Sequence, residues 1–286
     1  MRIVTRKKGK KRYFYLQHSF REEGKVKTRE IYLGKLLPKN IGQIEQKMKL
    51  ESKKDLYKKL ETIKANFQKE WKKYPQTVRE KEKEEIAIAF TYNTNAIEGS
   101  TITLEEARGI IQDKIAPRKP LKDIRETESH AAVFLKMLNH KEKLSVELLL
   151  KWHMEIFGET KSDIAGKFRN YLVRIGDYIA PDWQDVEDLM REFVLFLQKT
   201  KMNAVEFAAR AHYRFEKIHP FGDGNGRIGR LIMNYILWWN KYPMLIIEYK
   251  KRKSYYKALK KDEEAFVHYF LKRYLAVHKK RYSSGR

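Results

Sequence analysis

The chain has 286 residues, with 62 Lys and Arg against 37 Asp and Glu, a formal net charge of +25 and no cysteine. That length holds one sizeable core with an appendage, or two modest domains, and a hydrophobic content of 42% excludes wholesale disorder. The missing cysteines exclude disulfides, thiolate zinc sites and a cysteine nucleophile.

No apolar run reaches bilayer-spanning length. The start, MRIVTRKKGKKRYFYL, lacks an apolar segment followed by a small-residue cleavage site. The expectation is a soluble, cytoplasmic protein with no membrane contact. The positive charge is uneven, since residues 1–80 carry 24 basic against 9 acidic side chains. Such a field attracts nucleic acid, acidic proteins or anionic surfaces, and its sign does not choose among them. A lysine- and glutamate-rich, cysteine-free composition also occurs in heat-adapted proteins, which accounts for the total charge but not for its asymmetry.

Residues 1–36 read as strands, with two aromatic and β-branched runs flanking Glu23-Gly24 in a hairpin pattern. Leu37-Pro38-Lys39-Asn40 is a break. From Ile41 to about Trp71 the period becomes helical, with Ile44, Met48, Leu56, Leu60, Ile63 and Phe67 mostly three or four apart. Tyr74-Pro75 ends it. Candidate helices follow at 79–96, 103–113, 121–139, 145–156, 183–198, 203–217, 226–240 and, with breaks, 251–277. Thr103 is placed as an N-cap with Glu106 three positions on. Residues 166–183, GKFRNYLVRIGDYIAPDW, alternate and carry glycines, a short hairpin or flap.

The densest chemistry lies in HPFGDGNGRIGR, residues 219–230. Asp223-Gly224-Asn225-Gly226 cannot belong to a regular helix, and an apolar helical period starts at Ile228. A glycine-rich loop opening a helix offers converging amides and a favourable dipole to a phosphate. Taken alone, this stretch also reads as a helix cap with solvated arginines. Arg227 and Arg230, however, both sit at a helix N-terminus, where the dipole opposes cations. They need an anion, either a ligand or a carboxylate. His219 can take a proton near neutral pH, and Asp223 offers a hard oxygen to Mg²⁺ on a phosphate chain.

This stretch resembles the Fic family signature, His-Pro-Phe-x-Asp/Glu-Gly-Asn-Gly-Arg-x-x-Arg, at every fixed position, and the resemblance extends over about residues 80–275. It implies an all-helical core that transfers adenosine monophosphate from ATP, with Mg²⁺, to a hydroxyl of a target protein. By the same resemblance His219 deprotonates the target Ser, Thr or Tyr. Asp223 holds Mg²⁺, Gly224, Asn225 and Gly226 form the anion hole, and Arg227 and Arg230 neutralise phosphate charge. AGKFRNYLVRIG resembles the family's target-binding flap, with Val173, Arg174 and Ile175 pairing with the target's backbone. RKSYYKAL resembles the stretch lining the nucleotide pocket, which places Tyr255 and Tyr256 at the base. Ordinary packing of either tyrosine in the core is the competing reading. Many relatives continue with Ala-Asn-Glu-Gly-Asp, whereas Lys260–Ala265 here reads KKDEEA, leaving the base preference open. His153 and His212 fall in helical segments and are read as structural.

TNAIEGS, residues 94–100, would pass locally as a helix end with a glycine cap. It also matches the family's inhibitory pattern, Ser/Thr-x-x-x-Glu-Gly/Asn, at Thr94, Glu98 and Gly99. The resemblance pairs Glu98 with Arg230 and so implies an autoinhibited enzyme. The same glutamate leaves open an alternative, removal of AMP from a modified protein.

The fold class expected is mainly α: a helical Fic core with a β-hairpin flap, behind a small β-rich amino-terminal module. Its parts are a basic module at 1–40, a connecting helix at 41–78, and a catalytic domain at 79–280 with the inhibitory helix at 79–99. The basic module supplies the other alternative, nucleic-acid tethering with Tyr13, Phe14 and Tyr15 for stacking, against a merely solvated surface. A salt-dependent shift with DNA or RNA, lost on deleting residues 1–40, separates the two. The target protein stays unknown, and pairing into a homodimer stays open.

Overall fold

The computed structural model describes residues 1–22, 25–199 and 202–282. They form two compact units, Met1–Glu61 and Thr62–Arg286.

The first unit carries three antiparallel strands in the order β1 (Arg2–Lys8), β2 (Lys11–Glu22) and β3 (Lys25–Gly34). The expected strands of 1–36 are three: besides the two runs flanking Glu23-Gly24, β1 pairs Val4 with Tyr15 and Arg6 with Tyr13. The Glu23-Gly24 turn lies outside the described residues. Register places Tyr15 beside Tyr32, with ring centroids 5.3 Å apart, and Leu16 on the other side of the strand is fully buried. Helix α1 (Ile41–Lys73) starts in this unit and runs past its end.

The second unit is helical: α2 (Gln76–Ile97), α3 (Leu104–Arg108), α4 (Leu121–Asn139), α5 (Val146–Phe157), α6 (Val186–Lys199), α7 (Ala204–Ile218), α8 (Asn225–Trp239), α9 (Arg252–Leu259) and α10 (Glu263–Tyr282). Thr103 caps α3 in a capping box with Glu106. The expected helix 103–113 changes at Gly109 into a single π turn, Gly109–Asp113. The flap's regular pairing is short, with β4 (Arg174–Ile175) against β5 (Tyr178–Ile179).

Helix α8 is the axis of this unit. Ile228, Leu231, Ile232, Met233 and Leu237 have no exposure, and α2, α4, α5 and α7 pack around it. Its contact with α7 is close because Gly229 faces that helix; a Cβ there would lie 2.8 Å from Glu216 Oε1 and 2.9 Å from His212 Nδ1. A helix buried on all sides must be apolar all round or have its polar groups satisfied. Asn234 meets this by accepting from Leu245 N–H at 2.9 Å and donating to Leu245 O at 3.2 Å. The N-terminus of α8 is thereby fixed inside the core, and the site forms around it.

Candidate active site

Helix α7 ends at His219, which takes the left-handed conformation at φ 51°. The chain then turns through Pro220–Gly224, and Gly224, at φ 79°, opens α8 as its cap. A side chain at Gly224 would collide with the Phe157 ring, so that position needs glycine for both its dihedral and its packing. Asn225 clamps the loop: its Oδ1 accepts from Phe221 N–H and its Nδ2 donates to Phe221 O, both at 2.8 Å. Phe221 is fully buried and stacks on His153 at 3.9 Å.

His153 does more than fill the core. Its Nδ1 accepts from Gly166 N–H at 2.9 Å, so the ring proton is on Nε2, which donates to Asp223 O at 2.9 Å. Burial holds this histidine down to about 4, the neutral form such bonding requires. Arg169, which no periodicity marks, joins the flap to the loop. Its guanidinium donates to His219 O (2.9 Å), Tyr171 O (2.9 Å) and Pro181 O (2.7 Å), and its amide donates to Pro220 O. Of the flap residues, Val173 O accepts from Ala180 N–H, and Arg174 and Ile175 are exposed. Tyr178 anchors the flap by donating to Lys217 O at 2.7 Å.

The side chain of His219 lies mostly buried above this turn. Its Nδ1 is 3.4 Å from Glu216 O, which places a proton on Nδ1 and leaves Nε2 free to accept one. Burial lowers its pKa to about 4, against the raising influence of the Glu216 carbonyl and Glu98. Glu216 itself is pushed up to about 7 by burial, with Arg230 pulling it down and Glu98 pushing it up.

The two arginines of α8 each find a carboxylate. Arg230, 1% exposed, donates Nε to Thr94 Oγ1 at 2.7 Å and one terminal nitrogen to Glu98 Oε1 at 2.6 Å. Burial works against its charge, yet Glu98, Tyr255 and Glu216 hold its pKa above the ordinary value. Glu98 is the last residue of the α2 end and Gly99 follows at φ 94°. A Cβ at Gly226 would collide with Glu98 Oε1, so the carboxylate lies directly against the first turn of α8. As first-turn groups, the amides of Asn225, Gly226 and Arg227 have no intrahelical acceptor; an acidic group beside them and beside Arg230 is in a strongly favourable field.

Arg227 already has an internal partner. The residue is 4% exposed, and its guanidinium is ion-paired with Glu126 of α4 and lies 4.3 Å from the Phe157 ring centre. The anion it requires is thus internal, and Glu126 was invisible to sequence reasoning because it is an ordinary-looking glutamate 101 residues away. Tyr255 takes the competing place, packing in the core. It is 1% exposed, with its hydroxyl 2.7 Å from His212 Nε2 and 3.5 Å from Arg230, so it packs the core behind Arg230. Tyr256, 40% exposed, is the member of the pair that faces outward.

Asp223 accepts from Gly224 N–H at 2.6 Å and pairs with Lys161 at 3.1 Å. Burial raises it, but Arg227 and Lys161 outweigh that and hold it below the usual carboxylate range. Its side chain is 49% exposed. Among the described residues no group of three or more His, Cys, Asp or Glu could hold a metal. A single open carboxylate still suits Mg²⁺, which commonly takes one or two protein oxygens and completes its shell with phosphate and water.

The start of the central helix thus gathers first-turn amides, a mostly buried histidine and a carboxylate, Glu98, lying against Gly226. Residues 143–237 match the model of the Fic/DOC family. Over 189 residues the chain is 32% identical to Protein adenylyltransferase Fic of Nematostella vectensis, covering 63% of this chain and 44% of that protein. It is also 32% identical to the protein of that name in Drosophila ananassae, covering 66% and 40%. The chain therefore spans less than half the length of these curated relatives. Among solved structures, Fic-1 of C. elegans superposes with a TM-score of 0.66 at 25% identity, covering 84% of this chain and 75% of that one. A Fic family protein of Desulfovibrio desulfuricans gives 0.67 at 25%, covering 79% and 72%.

Proposed function

We propose that this chain is an autoinhibited protein adenylyltransferase, which transfers AMP from ATP to a hydroxyl of a target protein and of itself. The observation that carries the reading is the placement of His219 Nε2, Asp223 and the free amides of α8 around one cradle, together with a carboxylate, Glu98, that holds the arginine an incoming phosphate would need. The relatives' name, protein adenylyltransferase, agrees with it.

In this reading the flap holds the target segment by main-chain pairing along Val173–Ile175. His219, neutral above about pH 4, takes the hydroxyl proton on Nε2 while Nδ1 stays turned to Glu216 O. The oxygen attacks the α-phosphorus and diphosphate leaves. The amides of Asn225 and Gly226 and the Arg230 guanidinium stabilise the charge that builds on the phosphate oxygens, while the Gly224 amide stays on Asp223 Oδ1. Asp223 would hold Mg²⁺, whose chemistry is to neutralise the phosphate chain. Tyr256 would flank the base. Arg227 acts through Glu126 and Phe157, keeping the first turn in place.

Mass spectrometry of the Glu98→Gly protein after incubation with each nucleoside triphosphate and Mg²⁺ tests the proposal. AMP adducts that require His219 are expected; adducts absent in every arm would defeat it. The position of Glu98 against Gly226 also suits a carboxylate that directs water at a phosphodiester. Loss of AMP from a modified target with wild-type protein, and not with Glu98→Gly, would favour that removal activity.

A further inference from the structure

Lys161 lies in the connection after α5, and nothing in its sequence surroundings marks it as functional. Its side chain is 11% exposed, and its ammonium sits between two carboxylates, 2.5 Å from Glu126 Oε1 and 3.1 Å from Asp223 Oδ2. It also lies 4.5 Å from the centre of the Phe157 ring. Glu126 Oε2 pairs with Arg227, and Arg227 returns to Asp223 Oδ1 at 3.8 Å. The four side chains close a ring of alternating charge around Phe157, and Thr160 adds a hydrogen bond to Glu126 Oε1 at 3.0 Å.

Exposure within this ring is lopsided. Lys161, Glu126 and Arg227 are buried to 11%, 7% and 5% side-chain exposure, while Asp223 is 49% open. Of the four, Asp223 is the one open to solvent. Both of its oxygens are already bonded, Oδ1 to Gly224 N–H and Oδ2 to Lys161. A divalent ion on Oδ2 would share that oxygen with a unit positive charge. That charge is held from behind by the buried Glu126, and swinging it away would leave Glu126 Oε1 with the Thr160 hydroxyl alone.

We propose that Lys161 is a fixed internal cation at Asp223. It competes with a divalent ion for Oδ2 and supplies part of that ion's charge to the phosphates, so nucleotide binding by this chain depends only weakly on divalent metal. The proposal rests on the nucleotide-binding reading given above and adds to it a residue that the signature does not contain.

ADP is the suitable probe, since it lacks the γ-phosphate that the Glu98–Arg230 pair opposes. Its affinity for the full chain is measured by calorimetry in Mg²⁺ and in EDTA, for wild type, Lys161→Met and Lys161→Arg. The ratio of the two affinities should be within a few-fold of one in wild type and in Lys161→Arg, and rise ~10-fold in Lys161→Met, the effect of removing one near charge. Retention of the wild-type ratio by Lys161→Arg separates charge from packing, and a thermal melt of each variant checks folding. An equal ratio in wild type and Lys161→Met, with ADP bound by both, overturns the role of Lys161 and leaves the functional reading standing. Absence of ADP binding by all three proteins overturns both.

Discussion

Replacing Glu98 by glycine removes one carboxylate from a guanidinium that is 1% exposed. The carboxylate, 28% exposed, is 2.6 Å from it. A fully buried pair broken on one side costs about 3–5 kcal/mol; with Glu98 partly solvated and Thr94 still bonded to Arg230, about 2–3 kcal/mol is the appropriate range. If an ATP γ-phosphate must displace Glu98 to reach Arg230, the competent fraction of the resting protein is ~1 in 30 to 1 in 150. Glu98→Gly should therefore raise self-labelling from ATP by about that factor. The assay is the initial rate of label incorporation at subsaturating ATP, with Glu98→Gly/His219→Ala as background. The same variant leaves Arg230 under-compensated in the absence of nucleotide, so its Tm should fall and recover when ATP is added. A rate within twofold of wild type, with the fold intact, would refute the latch.

Three further outcomes are expected. His219 is held at about 4 by burial, so in the Glu98→Gly background the labelling rate should show no limb near pH 6.5; a rise centred there would place its proton affinity wrongly. Gly226→Ala puts a methyl where Glu98 Oε1 now lies and should abolish labelling even alongside Glu98→Gly, because the cradle itself is filled; full activity of that double variant would remove the cradle from the mechanism. Stability should decline as the pH drops below about 6.5, the ordinary histidine value. Burial depresses His130 and His212 to about 3 and His153, His219 and His278 to about 4. Each stabilises fully above 6.5 and loses that contribution as pH falls toward its folded value, because the unfolded chain binds the proton first. Glu216, raised to about 7 by burial, works in the opposite sense between 4.5 and 7 and offsets one of the five; a Tm that is flat from pH 7 to 4.5 would contradict the assignment.

The local chemistry of the loop was legible because it is local. Gly224 must take a positive φ, the α8 period begins right after it, and His219 and Asp223 lie within four residues of each other. The Thr103–Glu106 capping box is legible for the same reason. The need of Arg227 and Arg230 for an anion also followed from sequence, since a helix N-terminus repels cations.

Which anion each arginine took was decided only in three dimensions. The packing of α2 and α4 against α8 brings Glu98 to Arg230 and Glu126 to Arg227. Nothing in the spacing of residues 98, 126, 227 and 230 encodes that choice. Tertiary packing also buried Tyr255 behind Arg230 and turned Tyr256 outward, although the two are neighbours on one helix. Arg169 and Lys161 became parts of the site for the same reason. An ion pair across a core depends on which helices cross and at what height, and the linear pattern of a chain records only which face of each helix is apolar.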